Sequence, residues 1–138
     1  MEGIEVLAGG ERQGSLGNFL KSTVLLNPDL ASKVYTEEIF GPVLCVRTFK
    51  TEEEAIALAN DTQFGLGATI YTADIARALR VSQEVEAGTL GINTGFVPNK
   101  LSPFRGWKQS GIGREGGPDG LKSYLQSKTI HINMALNR

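Results

Sequence analysis

With 138 residues, 41% of them apolar, the chain is long enough for one domain with a buried core and too short for two domains of ordinary size. Fourteen basic and fifteen acidic residues give a net charge of −1, which excludes the basic excess expected for binding to nucleic acid or a membrane surface. The single cysteine excludes an internal disulfide, and the sequence contains neither a signal-peptide pattern nor a membrane-spanning apolar run, so a cytoplasmic setting is expected.

The first 42 residues contain short β-type segments. Residues 6–8 end at two glycines, and residues 19–26 form a β-rich run that Asn27 and Pro28 stop. The two segments predict a hairpin or an arm.

A different pattern begins at residue 43. Residues 43–49 start with a nearly continuous apolar run, which is typical of a parallel strand covered on both faces. Thr51 and Glu54 form a capping-box pair, and the apolar positions that follow predict a helix over residues 52–60.

The pattern then repeats. Residues 68–72 predict a second strand, Asp74 caps a second helix, Gly88 ends that helix in the C′ position, and residues 89–93 predict a third strand. Residues 43–93 therefore form a β-α-β-α-β core with short connections, which favours right-handed parallel crossovers. The predicted fold class is α/β with a mainly parallel sheet.

Residues 94–117 follow no period and contain six glycines and two prolines, so they predict a long loop of the kind that carries function. Residues 118–125 predict a short helix. Residues 128–134 alternate between apolar and polar side chains and predict a terminal strand with one apolar face, which requires a neighbour.

Gly111, Gly113 and Gly116 satisfy the spacing of a dinucleotide-binding loop. The mechanism also needs a buried strand before the glycines, a helix opening within them and an acid about 20 residues later, and the sequence supplies none of these. The glycines are predicted to serve backbone turns.

Three other polar positions favour structural roles. Cys45 lies in an apolar strand without a basic neighbour and is predicted to be a buried structural cysteine. His131 is the only histidine, so no metal site is expected and a surface or interface position is the default. The adjacent Arg114 and Glu115 are predicted to brace a loop rather than to catalyse a reaction.

Residues 37–42 place an acidic pair, an aromatic ring and a Gly-Pro turn just before the strand at residue 43. A carboxylate and a ring in this arrangement could bind a sugar hydroxyl and stack on a flat ring. From the residues alone, a solvated acid pair and a core phenylalanine are favoured.

Four segments carry a family resemblance: Glu38–Val43, Ala59–Leu66, Gly88–Asn93 and Pro103–Glu115. In order and spacing they resemble segments near the C-termini of aldehyde dehydrogenases, and the resemblance covers essentially the whole chain. Gly91–Gly95 and Lys108–Gly111 are most similar to the succinate-semialdehyde dehydrogenase branch.

The resemblance implies part of the catalytic domain of an enzyme that oxidises a small aldehyde to a carboxylate with NAD or NADP. It implies that Glu38 holds the nicotinamide ribose and that Phe40 lies beside the nicotinamide, which reverses the preference for a solvated acid pair and a core phenylalanine. It also implies that Phe104 lines the aldehyde pocket, with Phe96 and Pro98 as specificity positions on the same loop.

Two positions depart from the family pattern. Pro98 stands where the semialdehyde branch has a serine that helps to bind the substrate carboxylate, and Arg105 replaces a usual glycine. Either Arg105 supplies a compensating cation for an acidic aldehyde, or the preference has moved toward neutral or aromatic aldehydes. The sequence leaves both readings open, as it does the choice between NAD and NADP.

The family's nucleophilic cysteine, general base, oxyanion-hole asparagine and dinucleotide domain precede this region. Cys45 follows the Glu38–Pro42 motif and is not that nucleophile, so no catalytic residue is expected here and the isolated chain should be inactive. Residues 1–42 are expected to form an arm and cofactor-edge segment, residues 94–117 the substrate-pocket loop, and the strand at 128–134 a homo-oligomer contact. The alternative is a stand-alone pseudoenzyme or interaction module that pairs with a full-length homologue.

Overall fold

The computed structural model describes residues 3–95, 97 and 99–137. The chain divides into two compact units, Met1–Ala55 and Ile56–Arg138. Helices and short sheets occur in the same chain, so the predicted α/β class is confirmed.

The first unit contains a three-stranded sheet. Its strands are β1 (Glu5–Ala8), β2 (Thr23–Leu26) and β3 (Val43–Val46), in that spatial order. Strands β1 and β2 pair antiparallel, which forms the predicted hairpin, and β2 and β3 pair parallel with the short helix α1 (Lys33–Thr36) between them.

The core of the first unit lies under β2. Leu25 and Pro28 are fully buried, and buried Thr23 accepts a hydrogen bond from Gly10 N at 2.9 Å while donating to Lys21 O at 2.8 Å. Strand β2 ends because Asn27 adopts a left-handed backbone with φ 46°, a region that asparagine tolerates better than most residues. The Asn27 side chain then accepts from Thr48 N at 2.9 Å.

Strand β3 differs from its prediction. A strand covered on both faces was expected, yet Leu44 is 59% exposed and Phe49, just beyond the strand, is 60% exposed. Strand β3 lies at the edge of its sheet with β2 as its neighbour, and no layer of the described residues covers Leu44.

Helix α2 (Glu52–Asn60) has the predicted bounds. Thr51 Oγ1 accepts from Glu54 N at 3.2 Å, which is half of the predicted capping box. The Glu54 carboxylate accepts from Lys50 N at 2.8 Å instead of from Thr51 N, so the helix start is capped one residue further back.

The second unit contains two small sheets. Strands β5 (Gly67–Ile70) and β6 (Thr89–Ile92) pair parallel on either side of helix α3 (Ile75–Glu84) in the sequence. Strands β4 (Phe64–Gly65) and β7 (Trp107–Lys108) pair antiparallel, and helix α4 (Gly117–Lys122) follows. The chain order β3-α2-β5-α3-β6 is the predicted β-α-β-α-β order, while β3 pairs with β2 and β5 pairs with β6.

Helix α3 begins as predicted and ends differently. The Asp74 carboxylate accepts hydrogen bonds from Ala76 N and Arg77 N, as a capping aspartate should. The helix ends at Glu84 with Val85 as its C-cap, so the assignment of Gly88 to the C′ position was wrong. Gly88 is needed for another reason, because a Cβ there would lie 1.7 Å from the Arg105 carbonyl oxygen.

The C-terminal segment also differs from its prediction. The structure assigns no strand to residues 128–134; residues 125–133 lack regular secondary structure and Met134–Asn137 form a 3-10 helix. A strand requires a hydrogen-bonded neighbour, and within the described part of the chain these residues have none. Ile130, Ile132 and Met134 are each at least 70% exposed.

The chain has a large accessible surface for its mass. It exposes 11202 Å², whereas a folded monomer of 14.8 kDa exposes about 7,000 Å², and two separate folded units of these sizes would expose about 8,400 Å². Much of the excess is apolar, since many large hydrophobic side chains are exposed. Among the described residues, no helix is both long and apolar enough to cross a bilayer.

Candidate functional site

Glu38 and Phe40 lie in the first unit, in the irregular segment between α1 and β3. The segment is fixed at its end by two tight turns, in which Gly41 N donates to Ile39 O at 3.1 Å and Val43 N donates to Gly41 O at 2.8 Å. Glu38 is exposed, and Phe40 is 92% exposed, so the ring is not the core residue that the sequence alone favoured. Both side chains are accessible to a ligand.

The second unit has an open cleft of about 1040 Å³, formed by the loop over residues 100–117 and helix α4. Phe104 and Arg105, both predicted pocket residues, are half-buried and line it. Phe96 and Pro98, the other predicted pocket residues, lie outside the described residues.

The cleft combines apolar walls with positive charge. The apolar side chains lining it are Leu66, Leu101, Phe104, Ile112, Leu121 and Tyr124. Lys100, Arg105 and Arg114 supply three cations against the single carboxylate of Glu115. Such a cleft suits a small molecule with an apolar body and a negative end.

Arg105 has unused donors. Its Nε donates to Gly106 O at 3.2 Å, and among the described residues its terminal nitrogens donate no hydrogen bond. A guanidinium with free terminal nitrogens can receive a carboxylate through two parallel hydrogen bonds.

The cleft loop is held by backbone pairing. Phe104 N donates to Glu115 O at 2.7 Å, and Glu115 N donates to Phe104 O at 2.9 Å, so Glu115 braces the loop through its main chain. Gly113 and Gly116 adopt φ of 84° and 68°, which agrees with the turn role predicted for these glycines.

Further contacts attach the loop to β4. Gly65 N donates to Ser110 Oγ at 2.9 Å and Gln109 N donates to Gln63 O at 3.0 Å. The sequence offered no sign of this attachment, because Gln63 and Gln109 are far apart along the chain and polar residues near glycines usually indicate only a surface turn.

Cys45 is half-buried in β3, and its Sγ donates a hydrogen bond to Val34 O at 3.2 Å. Burial raises the pKa of the Cys45 thiol, which lowers its thiolate fraction at neutral pH. The geometry is that of a structural cysteine. His131 is exposed, and no group of three potential metal ligands occurs among the described residues.

The comparison with known families decides what kind of protein contains these two sites. The profile of the aldehyde dehydrogenase family matches residues 1–130. The chain belongs to the aldehyde dehydrogenase family.

Curated relatives and solved structures agree with this membership. The chain is 43% identical to the 3-sulfolactaldehyde dehydrogenase of Pseudomonas putida over 94% of its length, and 43% identical to the succinate-semialdehyde dehydrogenase (NADP(+)) of Escherichia coli over 96%. The Mycobacterium tuberculosis aldehyde dehydrogenase complexed with NAD+ superposes on 96% of the chain with a TM-score of 0.84 and 41% identity. The chain spans 26%, 28% and 28% of these three aldehyde dehydrogenases.

Proposed function

We propose that this chain is a C-terminal segment of the catalytic domain of an NAD(P)-dependent aldehyde dehydrogenase, which oxidises an aldehyde to a carboxylate. The observation that carries the proposal is the family match over residues 1–130. The substrate class and the roles of individual residues rest on the geometry of the two candidate sites.

Glu38 and Phe40 are proposed to contact the dinucleotide. Both side chains are exposed in a segment whose backbone is fixed by the turns at Gly41, so they are available without rearrangement. The Glu38 carboxylate is suited to accept hydrogen bonds from ribose hydroxyls, and the Phe40 ring offers a flat surface to a nicotinamide. A bound NAD or NADP would accept the hydride from the substrate.

Phe104 and Arg105, with Phe96 and Pro98 from the same loop, are proposed to line the substrate pocket. The terminal nitrogens of Arg105, which donate to none of the described residues, and the excess of cations in the cleft favour an aldehyde with an anionic end. Two of the relatives are named for such aldehydes, 3-sulfolactaldehyde and succinate semialdehyde. Of the two roles that the sequence leaves open for Arg105, the proposal therefore adopts that of a compensating cation for an acidic aldehyde.

The test measures the oxidation of two four-carbon aldehydes by the intact polypeptide, purified from the cells that produce it. The rate is followed by the absorbance of the reduced dinucleotide. Succinic semialdehyde and butanal differ in a terminal carboxylate, so the ratio of their kcat/KM values measures recognition of the anion. We expect at least a tenfold preference for succinic semialdehyde, because a hydrogen bond to a charged group contributes about 1.5–3 kcal/mol. The proposed function would be overturned if the protein oxidised neither of these two aldehydes and no aromatic aldehyde.

Arg105 variants separate charge from shape. Arg105→Met should abolish the preference for succinic semialdehyde while leaving kcat/KM for butanal within about threefold, and Arg105→Lys should retain part of it. A preference for butanal or benzaldehyde in the unmodified protein would assign Arg105 to the neutral-substrate alternative instead.

The 138-residue chain alone is proposed to be inactive. Its single cysteine has a raised pKa and donates to Val34 O, whereas a nucleophilic cysteine needs a lowered pKa and an adjacent base. Cys45→Ser in the intact polypeptide should leave aldehyde oxidation unchanged within twofold. A complete loss of activity with retained folding would assign the nucleophile to Cys45.

A second candidate function is that of an interaction module pairing with a longer homologue. The exposed apolar residues of the chain favour it, because such surfaces mark association sites. Mixing the chain with an active homologue should then form a heteromer and lower the homologue's activity. If no heteromer forms in size-exclusion chromatography, this candidate is excluded.

A further inference from the structure

Lys108 makes three contacts at the end of its side chain. Its Nζ donates to Asn60 O at 2.8 Å and to Thr62 O at 3.1 Å, and it lies 2.6 Å from Oε2 of Glu86. A lysine ammonium has three N–H donors, so each has one acceptor. The side chain is only 23% exposed, which distinguishes this ion pair from freely solvated surface pairs.

The acceptors belong to the ends of two helices. Asn60 is the last residue of α2, whose terminal carbonyls lack partners within the helix and carry partial negative charge. No basic residue lies in the last turn of α2 itself, so Lys108 supplies the cation from 48 residues away. The Asn60 side chain donates to Glu84 O and accepts from Glu86 N, both at 2.8 Å, which links the ends of α2 and α3 at this point.

The backbone of Lys108 is in an unfavourable conformation. Its φ is 50°, a left-handed value that glycine or asparagine adopts more readily than lysine. A lysine retained in this region indicates that its surroundings impose the conformation. The β4–β7 pairing of Lys108 with Phe64 and the three contacts of its ammonium hold it there.

Lys108 is close in sequence to the cleft wall formed by Phe104 and Arg105. The backbone near them is closely packed, because a Cβ on Gly106 would lie 2.4 Å from the Ser110 backbone and one on Gly88 would lie 1.7 Å from the Arg105 carbonyl oxygen. We therefore expect a displacement of Lys108 to shift the backbone of Phe104 and Arg105. We propose that Lys108 is a positioning residue, which anchors the cleft loop to the ends of α2 and α3 and so sets the position of Phe104 and Arg105.

The kinetic effect expected from this inference rests on the proposed function. The informative variant is Lys108→Asn, because asparagine accepts the left-handed backbone while lacking the ammonium. In the intact polypeptide we expect KM for succinic semialdehyde to rise about tenfold, with kcat and KM for the dinucleotide within threefold. Glu86→Gln keeps the Lys108 ammonium and both carbonyl acceptors, so its effect on KM should be at most threefold.

Hydrogen exchange tests the anchor without reference to activity. In Lys108→Asn the paired amides of Phe104 and Glu115 should exchange at least tenfold faster, while the Asn93 amide, which donates to Ile70 O in the β5–β6 region, should be unchanged. Unchanged exchange at Phe104 and Glu115, or equal acceleration at all three amides, would overturn the proposal. If the unmodified protein oxidised no aldehyde, the proposed function would fail and the exchange comparison would still decide the role of Lys108.

Discussion

The side-chain amide of Asn93 forms two hydrogen bonds with the backbone of Thr72: its Oδ1 accepts from Thr72 N and its Nδ2 donates to Thr72 O, both at 2.8 Å. The amide thereby continues the parallel β5–β6 pairing one step beyond Ile92, where the backbone of Asn93 turns away with φ 53°. The backbone is therefore held in place at Asn93, just before the loop over residues 94–117 begins.

Replacing Asn93 should make the pairing between residues 72 and 93 open more easily. Asn93→Ala removes both hydrogen bonds and places a residue with a Cβ in the left-handed region, so we expect a cost of about 2 kcal/mol in local opening. Asn93→Gly removes the same bonds without the steric penalty and should cost about 1 kcal/mol less. Native-state hydrogen exchange at the Thr72 amide measures both values, and equal values for the two variants would show that the backbone conformation contributes nothing.

Gly88 and Gly95 offer a matched pair of substitutions. A Cβ on Gly88 would meet the Arg105 carbonyl oxygen at 1.7 Å, whereas one on Gly95 would meet no atom of the described residues within 4 Å. Gly88→Ala must displace the backbone at Arg105 and should destabilise the protein by about 3 kcal/mol or more, while Gly95→Ala should stay within about 0.5 kcal/mol. Urea unfolding midpoints give the comparison, and a mild effect of Gly88→Ala would mean that the cleft wall moves easily.

The difference between Gly88 and Asp74 shows what the sequence could predict. Local rules were sufficient for α2 and for the Asp74 cap, since both depend on residues within four positions of each other. The role of Gly88 depends on the backbone of Arg105, 17 residues later, and no local pattern reports such an approach. Its assignment as a helix terminator failed for that reason.

The same distinction applies to the candidate sites. The motif order indicated Glu38, Phe40 and Phe104, and Arg105 stood out as a departure from the motif; the structure leaves Phe40 exposed and places Phe104 and Arg105 in the wall of one cleft. The part played by Lys108 could not be predicted, because its acceptors are two carbonyls at the end of α2 and a carboxylate that only the folded chain brings together. The strand expected at residues 128–134 needs a neighbour that the pattern of a single segment cannot supply.

The cap at Asp74 predicts a pH dependence for α3. The hydrogen bond from the Arg77 amide, helped by the one from the Ala76 amide and by the positive charges of Arg77 and Arg80, lowers the pKa of Asp74 below its ordinary value, although desolvation opposes the shift. Because the folded pKa is the lower one, the stabilisation is complete above the unfolded value of about 3.9 and is lost as the pH falls through the folded value. Asp74→Asn, which keeps an acceptor oxygen without a titratable group, should therefore differ from the parent less at pH 3 than at pH 7. A constant difference in unfolding midpoint between those pH values would exclude a role for the Asp74 charge.

The exposed apolar surface predicts self-association of the 138-residue chain. Its accessible area exceeds that of a folded monomer of its mass by about 4,000 Å², and a stable protein interface needs only about 800 Å² from each partner. In the C-terminal segment, Ile130, Ile132 and Met134 are exposed and alternate with polar residues, which is the pattern for pairing with a strand of another copy. Light scattering should thus give a mass above 14.8 kDa for the chain.

Two substitutions by lysine identify the surface through which the chain associates with itself. Ile132→Lys places a charge in the alternating segment and should shift the chain toward the monomer by at least tenfold in dissociation constant, because an inward-pointing charge opposes edge pairing. Leu16→Lys changes a residue that is 84% exposed in the β1–β2 connection and should leave the association unchanged. Equal weakening by both variants would point to nonspecific apolar contact, and a strictly monomeric parent chain would contradict the pairing role of residues 128–134 altogether.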